Sequence, residues 1–82
     1  MHMVRIFNIT ENDRVVSCTY TPEDSSLEGY VEVDKATQEI KSVKYSDYEY
    51  GKKMYVSHVR EKIAELINNK KDFPSEITAI WY

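Results

Sequence analysis

Two hydrophobic periods divide the chain. Residues 4–10 (VRIFNIT) are rich in β-branched and aromatic side chains and predict a strand. Glu11-Asn12-Asp13 supplies a turn, because Asn and Asp tolerate the backbone angles that a turn demands. Residues 14–21 (RVVSCTYT) alternate, with Val16, Cys18 and Tyr20 on one face, and predict a second strand that Pro22 stops. After a polar loop at 22–28, Gly29 opens a third strand at 30–34. There Val31 and Val33 face one way, and Tyr30, Glu32 and Asp34 the other. A turn at 35–38 leads to a fourth strand over 39–45. Ile40 and Val43 fall on its opposite faces, a phase break that a bulge or an early strand end explains.

The period then changes. Between 52 and 69, Val56, Val59, Ile63, Leu66 and Ile67 recur at the spacing of one apolar helical stripe, with Tyr55 at its edge. The preceding SDYEYG segment, 46–51, predicts a loop. Ser46 and Glu49 have capping-box spacing, yet a helix starting at 47 would carry Gly51 in its interior at a cost of about 1 kcal/mol. Asn68-Asn69-Lys70-Lys71 suits a helix C-terminus, Pro74 bars continuation, and 76–82 (EITAIWY) predicts a fifth strand.

The order ββββαβ predicts an α+β fold: a five-stranded, mainly antiparallel sheet with one amphipathic helix packed on one face. Strand one is apolar on both faces (Val4 and Ile6; Phe7 and Ile9), as a central strand should be. That favours the order 5-1-2-3-4 over a parallel crossover beside strand four. With 82 residues, no repeat and no linker, residues 3–82 form a single domain. Met1-His2-Met3 is what a common cloning site leaves, so Met3 reads as the natural start and His2 is set aside. A chain of this size buries only about 60% of its unfolded surface, and pairing with a second copy is a common way to bury more.

The same pattern locates a sticky side. One helix covers one sheet face, so the other face should be polar. In strands one and five it is not: each carries apolar residues on both sides. The strand-five edge, moreover, ends in Ile80-Trp81-Tyr82 with no charge or proline to guard it. Val4, Ile6, Ile80, Trp81 and Tyr82 are therefore interface candidates, unless loop 22–28 or 46–51 covers them.

Charge narrows the partners. The net charge is −3. The six basic side chains between 52 and 71 form a basic helical segment within an otherwise acidic chain. A nucleic-acid binder shows a basic footprint over the whole domain, and the aromatics here are interleaved with acids, so nucleic acid is set aside as a partner. No apolar run is long enough to cross a membrane and no signal peptide pattern is present. The single cysteine cannot form an intrachain disulfide, and it suits the cytoplasm.

Few residues carry chemistry. At about 100° per residue, His58 lies roughly 140° from the stripe centre at Ile63, on a solvent face with Met54, Glu61 and Glu65. It can exchange a proton there but has no cavity of its own. No spacing fits a metal site, and two glycines cannot build a phosphate loop, so neither metal nor cofactor is expected. Cys18 faces inward as a packed thiol. A second cluster forms around SDYEYG: Tyr45, Asp47, Tyr48, Glu49, Tyr50, Tyr55 and His58 are candidates for the rim of a ligand site.

The Lys-, Asn-, Ile- and Tyr-rich composition resembles that of many small bacterial reading frames, and no motif names a family. The expected function is that of a small cytoplasmic interaction domain without catalysis, homodimeric through strands 4–10 and 76–82 or bound to another protein. The alternative is a small-ligand binder or minor enzyme using the Tyr48/Tyr50 loop with His58.

Overall fold

The computed structural model describes residues 1–50, 53–69 and 72–82. Strands β1 (His2–Glu11), β2 (Val15–Pro22), β3 (Gly29–Asp34), β4 (Ile40–Lys44) and β5 (Glu76–Trp81) form one sheet in the order β4-β3-β2-β1-β5, and every pairing is antiparallel. Helix α1 (Met54–Asn69) lies across β1, β2, β3 and β5. This is the α+β architecture that the hydrophobic pattern predicts, including strand five beside strand one.

The turns are made by the residues expected to make them. Asn12 Oδ1 accepts from the backbone N–H groups of Arg14 and Val15 at 2.8 and 2.9 Å, closing the β1–β2 hairpin. Asp34 Oδ1 accepts from Ala36 and Thr37 at 2.8 and 3.0 Å and starts the β3–β4 turn. Gly29 is required by close approach. A methyl group there would stand 2.7 Å from the Ser46 backbone nitrogen and press into the Tyr20 ring.

Two bulges settle the phase breaks. In β4, Ser42 faces Glu32 while Ile40 faces Val33, so Lys41 is the extra residue, and both Ile40 and Val43 pack against the core. In β1, Phe7 faces Thr19 and Thr10 faces Ser17, so Asn8 and Ile9 together oppose one residue of β2. Asn8 takes the left-handed conformation (φ 52°) that such a bulge uses and that Asn tolerates.

This second bulge corrects the reading of strand one. Val4 and Ile6 both point under the helix and are fully buried, while Ile9 switches to the same side and packs against the core. Phe7 alone of the four stays on the outer face, where the Arg5 guanidinium lies 5.5 Å from its ring centre. Arg5 in turn pairs with Glu76 at 3.1 Å. Val4 and Ile6 are thus core residues and not interface residues. The outer face of β1 carries a charge pair where an apolar patch was expected.

The core joins Val4 and Ile6 to Val16, Cys18, Tyr20, Val31 and Val33 from the sheet and to Tyr55, Val56, Val59 and Ile63 from α1. Leu66 and Ile67 of the expected stripe are only partly buried. The helix was expected from 52. Residue 52 lies outside the described residues, and Lys53 is left-handed (φ 58°), which ends helical geometry on the N-terminal side of Met54. The Lys70-Lys71 part of the expected C-terminal cap also lies outside the described residues.

Candidate functional site

The SDYEYG segment does form a loop up to Tyr50, with a single 3₁₀ turn at Asp47–Glu49 inside it. Ser46 starts that turn, its Oγ accepting from Tyr48 N–H at 3.2 Å. Glu49 does not reach back to Ser46 as a capping box would require. It turns inward instead and is 3% exposed. Its Oε1 accepts from the backbone N–H groups of Tyr55 and Val56 at 3.0 and 3.3 Å, capping α1 from outside the helix. Its Oε2 accepts from the Tyr20 hydroxyl. The Tyr20 oxygen accepts in turn from Ser46 N–H at 3.1 Å. One carboxylate thus binds sheet, loop and helix together, and both of its oxygens are engaged.

Glu23, which carried no expected role, does similar work from the other side. It accepts from the Tyr55 hydroxyl at 2.6 Å and from Met3 N–H at 3.3 Å. The Tyr55 bond, ahead of the His2 contact, holds the Glu23 carboxyl below its usual range. Burial, followed by the Glu23 bond, pushes the Tyr55 phenol up.

On this frame the aromatic side chains form a continuous strip. Tyr50 and Tyr48 have ring centres 5.8 Å apart, Tyr48 and Tyr55 5.7 Å, Tyr55 and Trp81 5.6 Å, and Trp81 and His58 3.7 Å. His2 adds a second stacked ring on Trp81 at 5.7 Å. The ligand-rim candidates and the interface candidate Trp81 therefore belong to one surface. Tyr45 is apart from it, with the Lys53 ammonium 5.2 Å from its ring centre. Asp47 is exposed, and its carbonyl accepts from Tyr50 N–H at 3.3 Å.

Two concavities flank Trp81 and Tyr55. A cleft of about 370 Å³ is lined by Tyr48, Glu49, Tyr50, Met54 and Tyr55. A groove of about 260 Å³ between α1 and β5 is lined by His58, Glu61, Lys62, Glu65, Ala79, Ile80 and Trp81. His58 thus lines the groove and not the tyrosine cleft, which separates it from the loop it was expected to serve. It lies nearly parallel to Trp81 (14° between planes), with Nδ1 3.6 Å from Glu61 Oε2. Its solvent face is shared with Trp81, a neighbour from β5 that helical periodicity cannot reveal. Among the described residues no hydroxyl or thiol hydrogen-bonds to its ring, and no group of three or more His, Cys, Asp or Glu side chains could hold a metal ion.

The remaining candidates lie along β5. Ile77, Ala79 and Trp81 face the helix and are partly buried, whereas Ile80 and Tyr82 face away and are 57% and 95% exposed. Among the described residues no strand pairs with the outer edge of β5. The opposite edge, β4, carries a bulge and the exposed Lys41 and Lys44, devices that discourage edge pairing. Between Ile77 and Trp81, β5 has no charge, proline or bulge.

Cys18 lies 1% exposed in the core, and burial pushes its thiol up to about 12. It is a packing residue and not a nucleophile. No helix of the described residues is long and apolar enough to cross a membrane. Compared with known proteins, the chain matches no family model, no curated protein and no solved structure.

Proposed function

We propose that the chain is a small, non-catalytic interaction domain of the cytoplasm that pairs with a second copy of itself through the β5 edge. The observation that carries this is the contrast between the two ends of the sheet. One edge is guarded by a bulge and two lysines; the other has no bulge, carries no charge from Ile77 to Trp81 and exposes Ile80 and the adjoining Tyr82. An antiparallel strand is its own complement about a two-fold axis, so β5 against β5 closes the sheet edge on both copies at once. Such pairing brings two α1–β5 grooves together, and each offers both signs of charge (Lys62 with Glu61 and Glu65) to its twin. The contact is of the small class, so the dimer is expected to dissociate on dilution.

The test is light scattering after size exclusion over a concentration series, on wild type and Ile80→Lys. Ile80 supports no core contact that its exposure would not already have given up, so the lysine variant keeps the fold. Wild type is expected to rise from monomer to dimer mass with concentration, and the variant to stay monomeric. A wild type that stays monomeric at the highest concentration, or a variant that dimerises equally well, overturns the proposal.

The tyrosine cleft favours a second reading, a small-ligand binder, because three tyrosines and a methionine line an open space of ligand size. His58 has no part in it.

A further inference from the structure

We infer that the tyrosine cleft is a site for a small quaternary ammonium compound; this rests on the second reading above, that the cleft takes a small ligand, and not on the β5 dimer. It is lined by Tyr48, Tyr50 and Tyr55, with Met54 and Glu49 completing the lining. The rings are not a flat stack. Tyr48 and Tyr55 meet at 75°, and Tyr48 and Tyr50 at 45°. Three tyrosines lining one cleft offer π surface to a cation from more than one side, the contact a quaternary ammonium group uses.

Charge points the same way. Among the described residues the lining includes the acidic Glu49 and no basic residue. A second carboxylate, Glu23, sits on the Tyr55 hydroxyl behind the cleft. The nearby Lys53 ammonium is turned to the Tyr45 ring and does not enter. Glu49 already accepts three hydrogen bonds, from Tyr20, Tyr55 and Val56, so an incoming N–H donor finds at most one lone pair left there. A ligand that brings positive charge without N–H groups, as a tetraalkylated nitrogen does, loses nothing by that. A primary ammonium, which must give up its hydration, is favoured less.

The two outer features of the cleft also differ in kind. Tyr55 is 7% exposed and tied by its hydroxyl and its backbone nitrogen to two carboxylates, so the floor is rigid. Tyr50 is 79% exposed and left-handed (φ 50°), a conformation that glycine or asparagine adopts more cheaply. Its ring gives little to the fold and completes the cleft.

The experiment is a titration of the full chain with choline, followed by proton NMR of the tyrosine rings. Parallel titrations use 3,3-dimethylbutan-1-ol, the neutral carbon isostere, and a peptide carrying trimethyllysine. Choline is expected to shift the Tyr48, Tyr50 and Tyr55 signals saturably, and the neutral isostere to bind at least about tenfold more weakly. Tyr50→Ala, which removes an exposed ring and leaves the core intact, is expected to weaken choline about tenfold with an unchanged circular dichroism spectrum. Equal binding of the neutral isostere overturns the inference while leaving a ligand cleft standing. No binding of either overturns both. A peptide that binds far more tightly than choline overturns the small-molecule assignment.

Discussion

The Tyr20 hydroxyl, carried by the second strand, donates to the carboxylate of Glu49, whose other oxygen caps the helix. Removing either partner strands buried polar groups. Glu49→Ala leaves the Tyr20 hydroxyl and two helix N–H groups without acceptors, and is expected to cost roughly 3 kcal/mol. Glu49→Gln keeps an acceptor for the helix and is expected to cost about half as much. Tyr20→Phe removes the donor to Glu49 and the acceptor for Ser46 N–H, at about 2 kcal/mol. Urea denaturation of the single variants and of the pair checks this. Costs that simply add would show that the two residues do not act as one unit.

Stability should be flat near neutrality and fall on both sides. Cys18 sits at about 12 against an ordinary 9.0, and burial also raises Tyr20 and Tyr55 above an ordinary 10.0. At each of these the unfolded chain releases its proton first, so it binds fewer protons than the folded one and stability drops as pH rises. The decline should begin near 9.0 and steepen past 10.0, and Cys18→Ala should delay its onset. On the acid side, hydrogen bonds from Tyr55 to Glu23, and from Thr37 and Ala36 N–H to Asp34, hold both carboxyls low. Their contribution is complete above the ordinary values of 4.5 and 3.8 and is lost as pH falls through the lower folded ones. Urea midpoints measured across the pH range would refute this if they rose above pH 9.0.

Gly29 offers a steric test of the same junction. An alanine methyl would meet the Tyr20 ring and stand 2.7 Å from the Ser46 nitrogen, both fixed by the Glu49 network. Gly29→Ala is expected to cost about 3 kcal/mol, at the upper end for overpacking, since neither neighbour can yield without breaking a buried hydrogen bond. A melting temperature within error of wild type would mean that the network gives way more easily than its geometry implies.

The fold was readable because its signals are local or strictly periodic. Val31 and Val33 alternate over one strand, and Val56, Val59 and Ile63 recur along one helix. The two apolar faces of strand one correctly marked a central strand but misplaced Val4 and Ile6. The missing step was Asn8: set between Ile6 and Ile9, an Asn able to turn left-handed shifts the phase and lets both isoleucines face the helix. That signal was present in the sequence. Glu49 was less legible. An acid in an acidic, tyrosine-rich loop reads as solvated, and its burial depends on Tyr20, far away in the chain. The joining of the ligand-rim tyrosines to Trp81 likewise depends on β5 lying beside β1 under the start of α1, which only tertiary packing decides. That packing also changes the choice of probe. Trp81 stacks on His58 and meets Tyr55 edge-on, so its substitution disturbs the fold as well as the edge, whereas Ile80 reports on the edge alone.

Tyr50 separates stability from function most directly. A left-handed backbone costs a side chain with a Cβ about 1 kcal/mol relative to residues that adopt it readily. With the ring 79% exposed, little packing is lost when it is removed. Tyr50→Asn should therefore leave the protein as stable as wild type or up to about 1 kcal/mol more stable, with Tyr50→Gly close behind because glycine gives back part of the gain as chain entropy. The tilted contact with Tyr48, at 5.8 Å, sets the opposing contribution, about 0.5 kcal/mol for a pair so exposed. Urea midpoints of the two variants decide the balance. A loss above about 1 kcal/mol would show that the ring supports the fold through Tyr48. A neutral or positive shift would leave its exposed position, and the strain beneath it, without a structural reason.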